Sequence, residues 1–156
     1  MKNNDTYEQT LHRLASRCSG AELCTADIQR KLDATGLTDE EKRRLLRRLV
    51  SEGYVDDNRY AHAFVRDKFR FSGWGRVKIA QGLRAKQIPA ADIDNALTEI
   101  DEDDYRQTLR GALEAKRRSV QGASAYETNG KLIRFALSRG FERDAILKEL
   151  RMNDDD

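Results

Sequence analysis

The chain has 156 residues, of which 29 are Lys or Arg and 27 are Asp or Glu, so its formal net charge at neutral pH is +2. The sequence contains no run of about 18 apolar residues, which excludes a membrane-spanning helix. Its first residues lack the apolar core of a secretory signal, and two cysteines are too few for a disulfide framework, so we expect a cytoplasmic protein.

The predicted elements are all helices. Apolar residues recur three or four positions apart, which is typical of amphipathic helices, and the first three stripes begin at Tyr7, Ile28 and Leu45. Pro89 predicts the first turn of a later helix over residues 90–100. A Ser or Thr followed three residues later by Glu predicts three further helix starts. These pairs are Ser19 with Glu22, Thr38 with Glu41, and Ser124 with Glu127.

A weak internal repeat organises these helices. Tyr7, Tyr60 and Tyr105 each begin a predicted helix and are followed four positions later by an apolar residue. A second and a third predicted helix follow each of these first helices. This pattern divides the chain into units at 1–57, 58–104 and 105–156, and the last unit ends in an acidic tail. We therefore predict an all-α fold of three tandem three-helix, helix-turn-helix-like repeats that stack into an elongated curved array.

Charge is strongly segregated along the chain. The net charge is −1 over residues 1–57, +7 over 58–88, −7 over 89–104, +6 over 105–140 and −3 over 141–156. The near-neutral total thus conceals two basic blocks, each large enough to neutralise several phosphates. Uneven solvated helix faces are the simpler explanation for either block alone, whereas two blocks on stacked repeats favour a polyanion partner.

Catalytic and metal-binding patterns are weak. His12 and His62 lie within predicted amphipathic helices, without a nucleophile at a recognisable spacing. Cys18 and Cys24 do not form a CxxC pair, and with the histidines they match no structural zinc pattern. Asp101–Asp104 lacks the spacing of a calcium loop. We expect a protein that is not an enzyme and that has no cofactor and no metal site.

The segment 64–86 interleaves cations with aromatic side chains, an arrangement suited to phosphate contacts and base stacking. Phe64 and Phe69 are expected in the core, whereas Trp74 fits a core or an exposed position equally well. Ser72 is expected to cap the second helix of this unit and to leave backbone N–H groups free for an anion. The candidate contacts of this segment are Arg66, Lys68, Arg70, Trp74, Arg76, Lys78, Arg84 and Lys86. Those of the third unit are Lys116, Arg117, Arg118, Lys131 and Arg134.

From about Tyr7 to Leu150 the sequence resembles the RecX family, the regulators of the RecA recombinase. The resemblance rests on the order and spacing of several short motifs rather than on any one of them. They are GYVDDNRYA at residues 53–61, GRVKI at 75–79, LRAKQI at 83–88, and GF at 140–141 with Ile146 beyond it.

This resemblance implies an all-α protein of three three-helix repeats that catalyses nothing itself. It implies binding to the RecA–DNA filament and inhibition of its recombinase, ATPase and co-protease activities, as part of DNA repair and the SOS response. It also implies weaker, salt-sensitive contacts with single- and double-stranded DNA, which agree with the basic blocks. We expect a monomer with no membrane partner.

One alternative stays open. The helix-turn-helix-like units suit a regulator that reads duplex DNA with some sequence preference, and such a protein needs basic or amide side chains on a recognition helix. The predicted helix over 90–100 is acidic and does not qualify. The helix over 39–51 carries Arg43, Arg44, Arg47 and Arg48, and it does qualify.

Overall fold

The computed structural model of the chain describes residues 4–120 and 124–154, and within them every regular element is an α-helix. This confirms the predicted all-α fold. The helices are α1 Tyr7–Gly20, α2 Thr25–Asp33, α3 Asp39–Ser51, α4 Asp57–Arg70, α5 Arg76–Ala85, α6 Ala90–Leu97, α7 Glu102–Ser119, α8 Ala125–Ser138 and α9 Arg143–Asp154. The end of the predicted acidic tail, residues 155–156, lies outside the described residues.

The helix boundaries follow local capping chemistry. Thr38 and Glu41 form the predicted capping box before α3, and the Ser124 hydroxyl accepts a hydrogen bond from the Glu127 backbone N–H before α8. The box predicted at Ser19 and Glu22 is wrong. Helix α2 begins at Thr25, after Cys24, and the Asp27 carboxylate accepts the Cys24 backbone N–H instead. Helix α6 ends at Leu97, three residues earlier than predicted.

Contacts divide the chain into two compact units. Unit 1 comprises residues 1–63 and 83–93, and unit 2 comprises residues 64–82 and 94–156. The division passes through α4, α5 and α6, so these units do not coincide with the three repeats inferred from the sequence. The repeat boundaries after residues 57 and 104 therefore stay predictions.

Unit 1 is built on the apolar stripes that the sequence pattern indicates. Burial of each large aliphatic side chain stabilises the fold by about 1.5–3 kcal/mol. The core consists of Leu11 and Leu14 of α1, Ile28 and Leu32 of α2, Leu45 and Leu49 of α3, and Val55 beyond them. Cys18 and Tyr7 pack against this cluster. Cys18 thus contributes to the apolar packing of unit 1.

A nearly buried ion pair joins the start of α2 to the residue that follows α5. The Lys86 Nζ lies 2.6 Å from Asp27 Oδ1, and the Cys24 backbone N–H donates to Asp27 Oδ2 at 3.2 Å. Burial by itself raises the pKa of the Asp27 carboxyl, but these hydrogen bonds outweigh it and hold the pKa below its ordinary value. The Lys86 ammonium is consequently part of the internal structure of unit 1.

Unit 2 brings the backbone of α5 against the turn between α8 and α9. The Gly75 N–H donates to the Arg139 carbonyl at 2.8 Å, and the Val77 N–H donates to the Gly140 carbonyl at 2.9 Å. A Cβ atom on Gly75 would lie within 3.0 Å of the Gly140 carbonyl and 2.5 Å from the Phe141 nitrogen. Gly140 also has a φ of +94°, which other L-residues rarely adopt. Only glycine permits so close a backbone approach at these two positions.

The Gly75→Ala variant should therefore lose stability. Overpacking of this kind costs about 1–3 kcal/mol, and here the opposing atoms are backbone atoms that cannot rotate aside. The matched control is Gly111→Ala in α7, where no atom lies within 4 Å of the new methyl group and stability should rise by about 0.5–1 kcal/mol. Urea unfolding followed by circular dichroism measures both, and equal midpoints for the two variants would contradict the close approach.

The Asp27→Asn variant should lose about 1–2 kcal/mol of unfolding free energy at neutral pH, because Lys86 then faces no carboxylate. Since the folded pKa of Asp27 is lowered, its contribution is complete above the ordinary aspartate pKa of about 3.9 and disappears as the pH falls through the folded value. The stability difference from the unmutated chain should thus narrow toward pH ~3.

The control for this pH dependence is Asp33→Asn, which removes an ion pair with Lys42 whose carboxylate is 61% exposed, against 11% for that of Asp27. Exposed pairs contribute only about 0–1 kcal/mol, so this variant should change little at either pH. A difference for Asp27→Asn that stays constant from neutral to acid pH would show that the ion pair does not stabilise the fold.

Candidate nucleic-acid interface

Arg76 lies at the first position of α5, inside a polar network of unit 2. Its guanidinium pairs with Glu142 at 3.2 Å and also with Glu102, and it stacks on the Tyr105 ring with 3.9 Å between Cζ and the ring centroid. The Tyr105 hydroxyl donates to Glu142 and accepts the Arg76 backbone N–H at 3.0 Å. Two carboxylates therefore neutralise Arg76, so it contributes little charge to a phosphate-binding surface.

Tyr105 is the buried centre of this network. Burial raises the pKa of its hydroxyl, and the hydrogen bond to Glu142 raises it further. The ring packs against Phe69 and Phe141, with centroid distances of 5.9 and 5.2 Å. The hydroxyl thus remains a protonated donor. Phe69 packs on Tyr105, but both Phe69 and Phe64 are half-buried and do not lie in the buried core that the sequence predicts.

The start of α5 offers no free backbone donors at its first positions. The N–H groups of Gly75, Arg76 and Val77 all donate within unit 2, the outer two to the carbonyls of Arg139 and Gly140. The expectation that Ser72 caps this helix is wrong, because α5 begins four residues later, at Arg76. Three backbone donors at this helix terminus are therefore occupied by the protein itself and are not available to an anion.

Two more of the candidate cations have carboxylate partners. Arg66 pairs with Glu99 at 3.0 Å in unit 2, and Lys86 pairs with Asp27 in unit 1. Arg84 lies exposed near the end of α5 and belongs to unit 1. Arg66 and Lys86 thus have carboxylate partners, unlike the cations of unit 2 that are described next.

Trp74 holds two lysine side chains at one face of unit 2. The Lys68 and Lys78 ammonium groups lie 4.9 and 4.5 Å from the centre of its indole ring. Trp74 is half-buried and meets Phe64 edge to face, with 6.3 Å between the centroids. A Cβ on Gly82 would meet the Phe64 ring at 2.7 Å, so this glycine makes room for the aromatic pair. Trp74 is both a packing residue and a support for two charges.

A second aromatic ring carries two cations in the same unit. Lys116 of α7 and Arg139, which follows α8, both lie 5.3 Å from the centre of the Phe135 ring. Neither Phe135 nor Arg139 is among the candidate residues from the sequence. The spacing of Phe135 and Arg139, four positions apart on a predicted helix, is the signal that indicates their contact.

An open groove of about 700 Å³ lies beside this second ring, within unit 2. The end of α4 and the turn after it form one wall, α7 forms the opposite wall, and Phe135 and Arg139 close the third side. Arg70 and Phe71 stand on the first wall. The Phe71 side chain is 85% exposed, although it is a large apolar ring.

The remaining candidates of the third unit lie on the surface of α7 and α8. Arg117, Arg118, Lys131 and Arg134 are exposed. Across residues 4–120 and 124–154, none of them forms an ion pair with a carboxylate, and the same holds for Lys68, Arg70, Lys78, Lys116 and Arg139. Unit 2 therefore carries a set of cations that internal carboxylates do not neutralise.

Metal-ligand groups do not come together in the described part of the chain. Within it, no three His, Cys, Asp or Glu side chains are placed to hold a metal ion. Cys24 is buried before α2, and Cys18 packs in the core of unit 1. None of the described helices is long and apolar enough to cross a membrane.

Known proteins resemble this chain in sequence and in fold. The family model for the second three-helix domain of RecX matches residues 56–97. The regulatory protein RecX of Pseudomonas fluorescens is 33% identical over 139 residues, covering 83% of this chain and 82% of that protein. RecX of Chlorobaculum tepidum is 29% identical over 151 residues, covering 97% of this chain and 89% of that protein.

The crystal structure of RecX from Lactobacillus salivarius has the same fold. It superposes with a TM-score of 0.87, covering 95% of this chain and 96% of that chain at 18% identity. Together with the family model, this confirms the predicted three-helix, helix-turn-helix-like domains. The motif order noted in the sequence and the identity to several relatives agree, and the chain belongs to the RecX family of regulatory proteins.

Proposed function

We propose that this protein is a negative regulator of RecA that binds the RecA–DNA filament and restrains its recombinase, ATPase and co-protease activities. Membership of the RecX family supports the regulatory role. The contact surface is inferred from one observation. Several cations of unit 2 are held in place by aromatic rings and not by carboxylates.

A cation on an aromatic ring keeps its charge. The ring attracts the ammonium by about 0.5–1 kcal/mol at exposed sites, which restrains the side chain without neutralising it. Lys68 and Lys78 on Trp74, and Lys116 on Phe135, are therefore preorganised for an external anion. Phosphates of the filament's DNA and acidic side chains of its protein are the anions that this surface would meet.

The proposed interface is narrower than the candidate set from the sequence. It comprises Lys68, Arg70, Trp74, Lys78, Lys116, Arg117, Arg118, Lys131 and Arg134, with Arg139 added. Arg66, Arg76 and Lys86 are left out because each pairs with a carboxylate of its own unit. Arg84 is left out because it lies in unit 1.

The triple variant Lys68→Gln/Lys78→Gln/Lys116→Gln should inhibit RecA poorly. The measurement is RecA-dependent ATP hydrolysis on single-stranded DNA with substoichiometric amounts of the regulator. We expect the unmutated protein to inhibit hydrolysis and the triple variant to require at least about tenfold more protein, which corresponds to about 1.4 kcal/mol of lost binding free energy.

The matched control is Arg43→Gln/Arg47→Gln/Lys148→Gln, which removes the same charge from exposed positions on α3 and α9. It should inhibit as the unmutated protein does. Equal inhibition by the triple variant and the control would remove the cations of unit 2 from the interface, and no inhibition by the unmutated protein would overturn the proposed function itself.

Binding to DNA alone should depend steeply on salt. Each phosphate contact on a single strand contributes about 0.7 to the slope of log K against log salt, so the triple variant should lose about 2 from that slope. Fluorescence anisotropy at several salt concentrations measures it. An unchanged slope would show that these three lysines do not contact phosphates.

The alternative, a sequence-preferring reader of duplex DNA, finds less support in α3. Recognition helices place their first residues at the base edges, and the first turn of α3 holds Asp39, Glu40 and Glu41, which repel phosphates. Arg44 stacks on Tyr7 and Arg48 pairs with Glu52. A sequence preference that persists at high salt and is lost in the Arg43→Gln/Arg47→Gln/Lys148→Gln variant would favour this alternative.

A further inference from the structure

The open groove of unit 2 has no role in the packing of the fold, and we propose that it holds an unpaired base of single-stranded nucleic acid, stacked on Phe71. This inference rests on the proposed function in one respect, because both involve cations of unit 2. The sequence indicates base stacking only for the segment 64–86 as a whole, and the inference assigns it to one ring, Phe71, and one groove.

Phe71 is held in place although its ring is exposed. Its backbone N–H donates to the Asp67 carbonyl at 2.9 Å, and the next turn closes through the Trp74 N–H, which donates to the Lys68 carbonyl at 3.0 Å. Gly73, with a φ of +67°, makes this turn possible. The ring thus projects from a backbone that is already fixed, so stacking a ligand on it has to order only the side-chain torsions.

The surroundings of the ring suit a nucleotide. Arg70 precedes Phe71 on the same wall, and Arg139 stands on another side, so both flank a base with positive charge that can hold its phosphates. Gln107 and Thr108 of α7 line the opposite wall and offer hydrogen bonds to a base edge. The volume of about 700 Å³ is ample for one nucleotide and its neighbours.

The occupant is single-stranded for a physical reason. In a duplex both faces of each base are already stacked on neighbouring bases, so an exposed ring has nothing to stack on, whereas an unpaired base offers its face freely. An acidic peptide fits less well, because its carboxylate side chains have no aromatic face to stack on Phe71, and the Asp104 carboxylate also lies in the groove. The same carboxylate can accept a hydrogen bond from an N–H group on the edge of an unpaired base, such as the N3–H of thymine.

The test compares two ligands of equal charge, a short oligothymidine and an abasic oligonucleotide of the same length. Their affinities are measured by fluorescence anisotropy at one salt concentration. Stacking of one base contributes about 1–3 kcal/mol, so the unmutated protein should prefer the oligothymidine by about 5- to 150-fold. The Phe71→Ala variant should bind both ligands equally, at the affinity of the unmutated protein for the abasic one.

Two controls keep this result specific. Tyr126→Ala removes an aromatic ring that is 90% exposed but does not line the groove, and it should keep the full preference. Phe71→Tyr retains an aromatic platform and should keep the preference as well. Circular dichroism of each variant shows whether the helices are retained.

Equal binding of both ligands by the unmutated protein would overturn the inference, as would an undiminished preference in Phe71→Ala. Displacement of oligothymidine by an acidic, tryptophan-containing peptide but not by the abasic oligonucleotide would assign the groove to a protein partner instead. The RecA ATPase assay separates the two proposals. A base preference without RecA inhibition overturns only the proposed function, and inhibition without a base preference overturns only the groove assignment.

Discussion

Three backbone N–H groups at the start of α5, those of Gly75, Arg76 and Val77, donate to other parts of unit 2, and this position of the helix constrains the residues around it. The Gly75 and Val77 N–H groups reach carbonyls in the turn after α8, and the Arg76 N–H reaches the Tyr105 hydroxyl. So close an approach requires glycine at positions 75 and 140, because a Cβ atom on either would overlap backbone atoms. Helix N-termini commonly bind anions, whereas the N-terminus of α5 donates to other parts of unit 2 and stabilises the fold.

The position of the start of α5 against the turn after α8 also divides the nearby basic residues into two classes. Arg76 follows Gly75 directly, so its guanidinium stays beside Glu142 and the Tyr105 ring and serves the fold. Lys78 lies two residues further along the helix and instead reaches Trp74. Carboxylates cancel the charge of the first class, whereas aromatic rings restrain the second class and leave its charge available to a partner.

This division gives physical meaning to a net charge of +2. Many of the 27 acidic residues serve to cap helices or to pair with cations of the same unit, as Asp27 does with Lys86. On unit 2, Lys68, Lys78 and Lys116 lie on the rings of Trp74 and Phe135 instead of pairing with carboxylates. A small total charge limits indiscriminate attraction to nucleic acid, while the cations of unit 2 that carboxylates do not neutralise support the proposed contact with a nucleoprotein filament.

Much of the fold is determined by the sequence alone. The stripe of Leu45 and Leu49 and the box at Thr38 predict α3 at its observed bounds, because apolar period and capping are local properties. Motif order likewise identifies the family. The tertiary structure decided which cations are available and which aromatic ring is exposed. Arg76 and Lys78 are two residues apart and equally basic in the sequence, and Phe69 and Phe71 are equally apolar. Folding brings α7, α8 and the turn after α8 together, and these neighbours distinguish the residues. Phe69 packs on Tyr105, Glu142 neutralises Arg76, and Phe71 is left at an open groove.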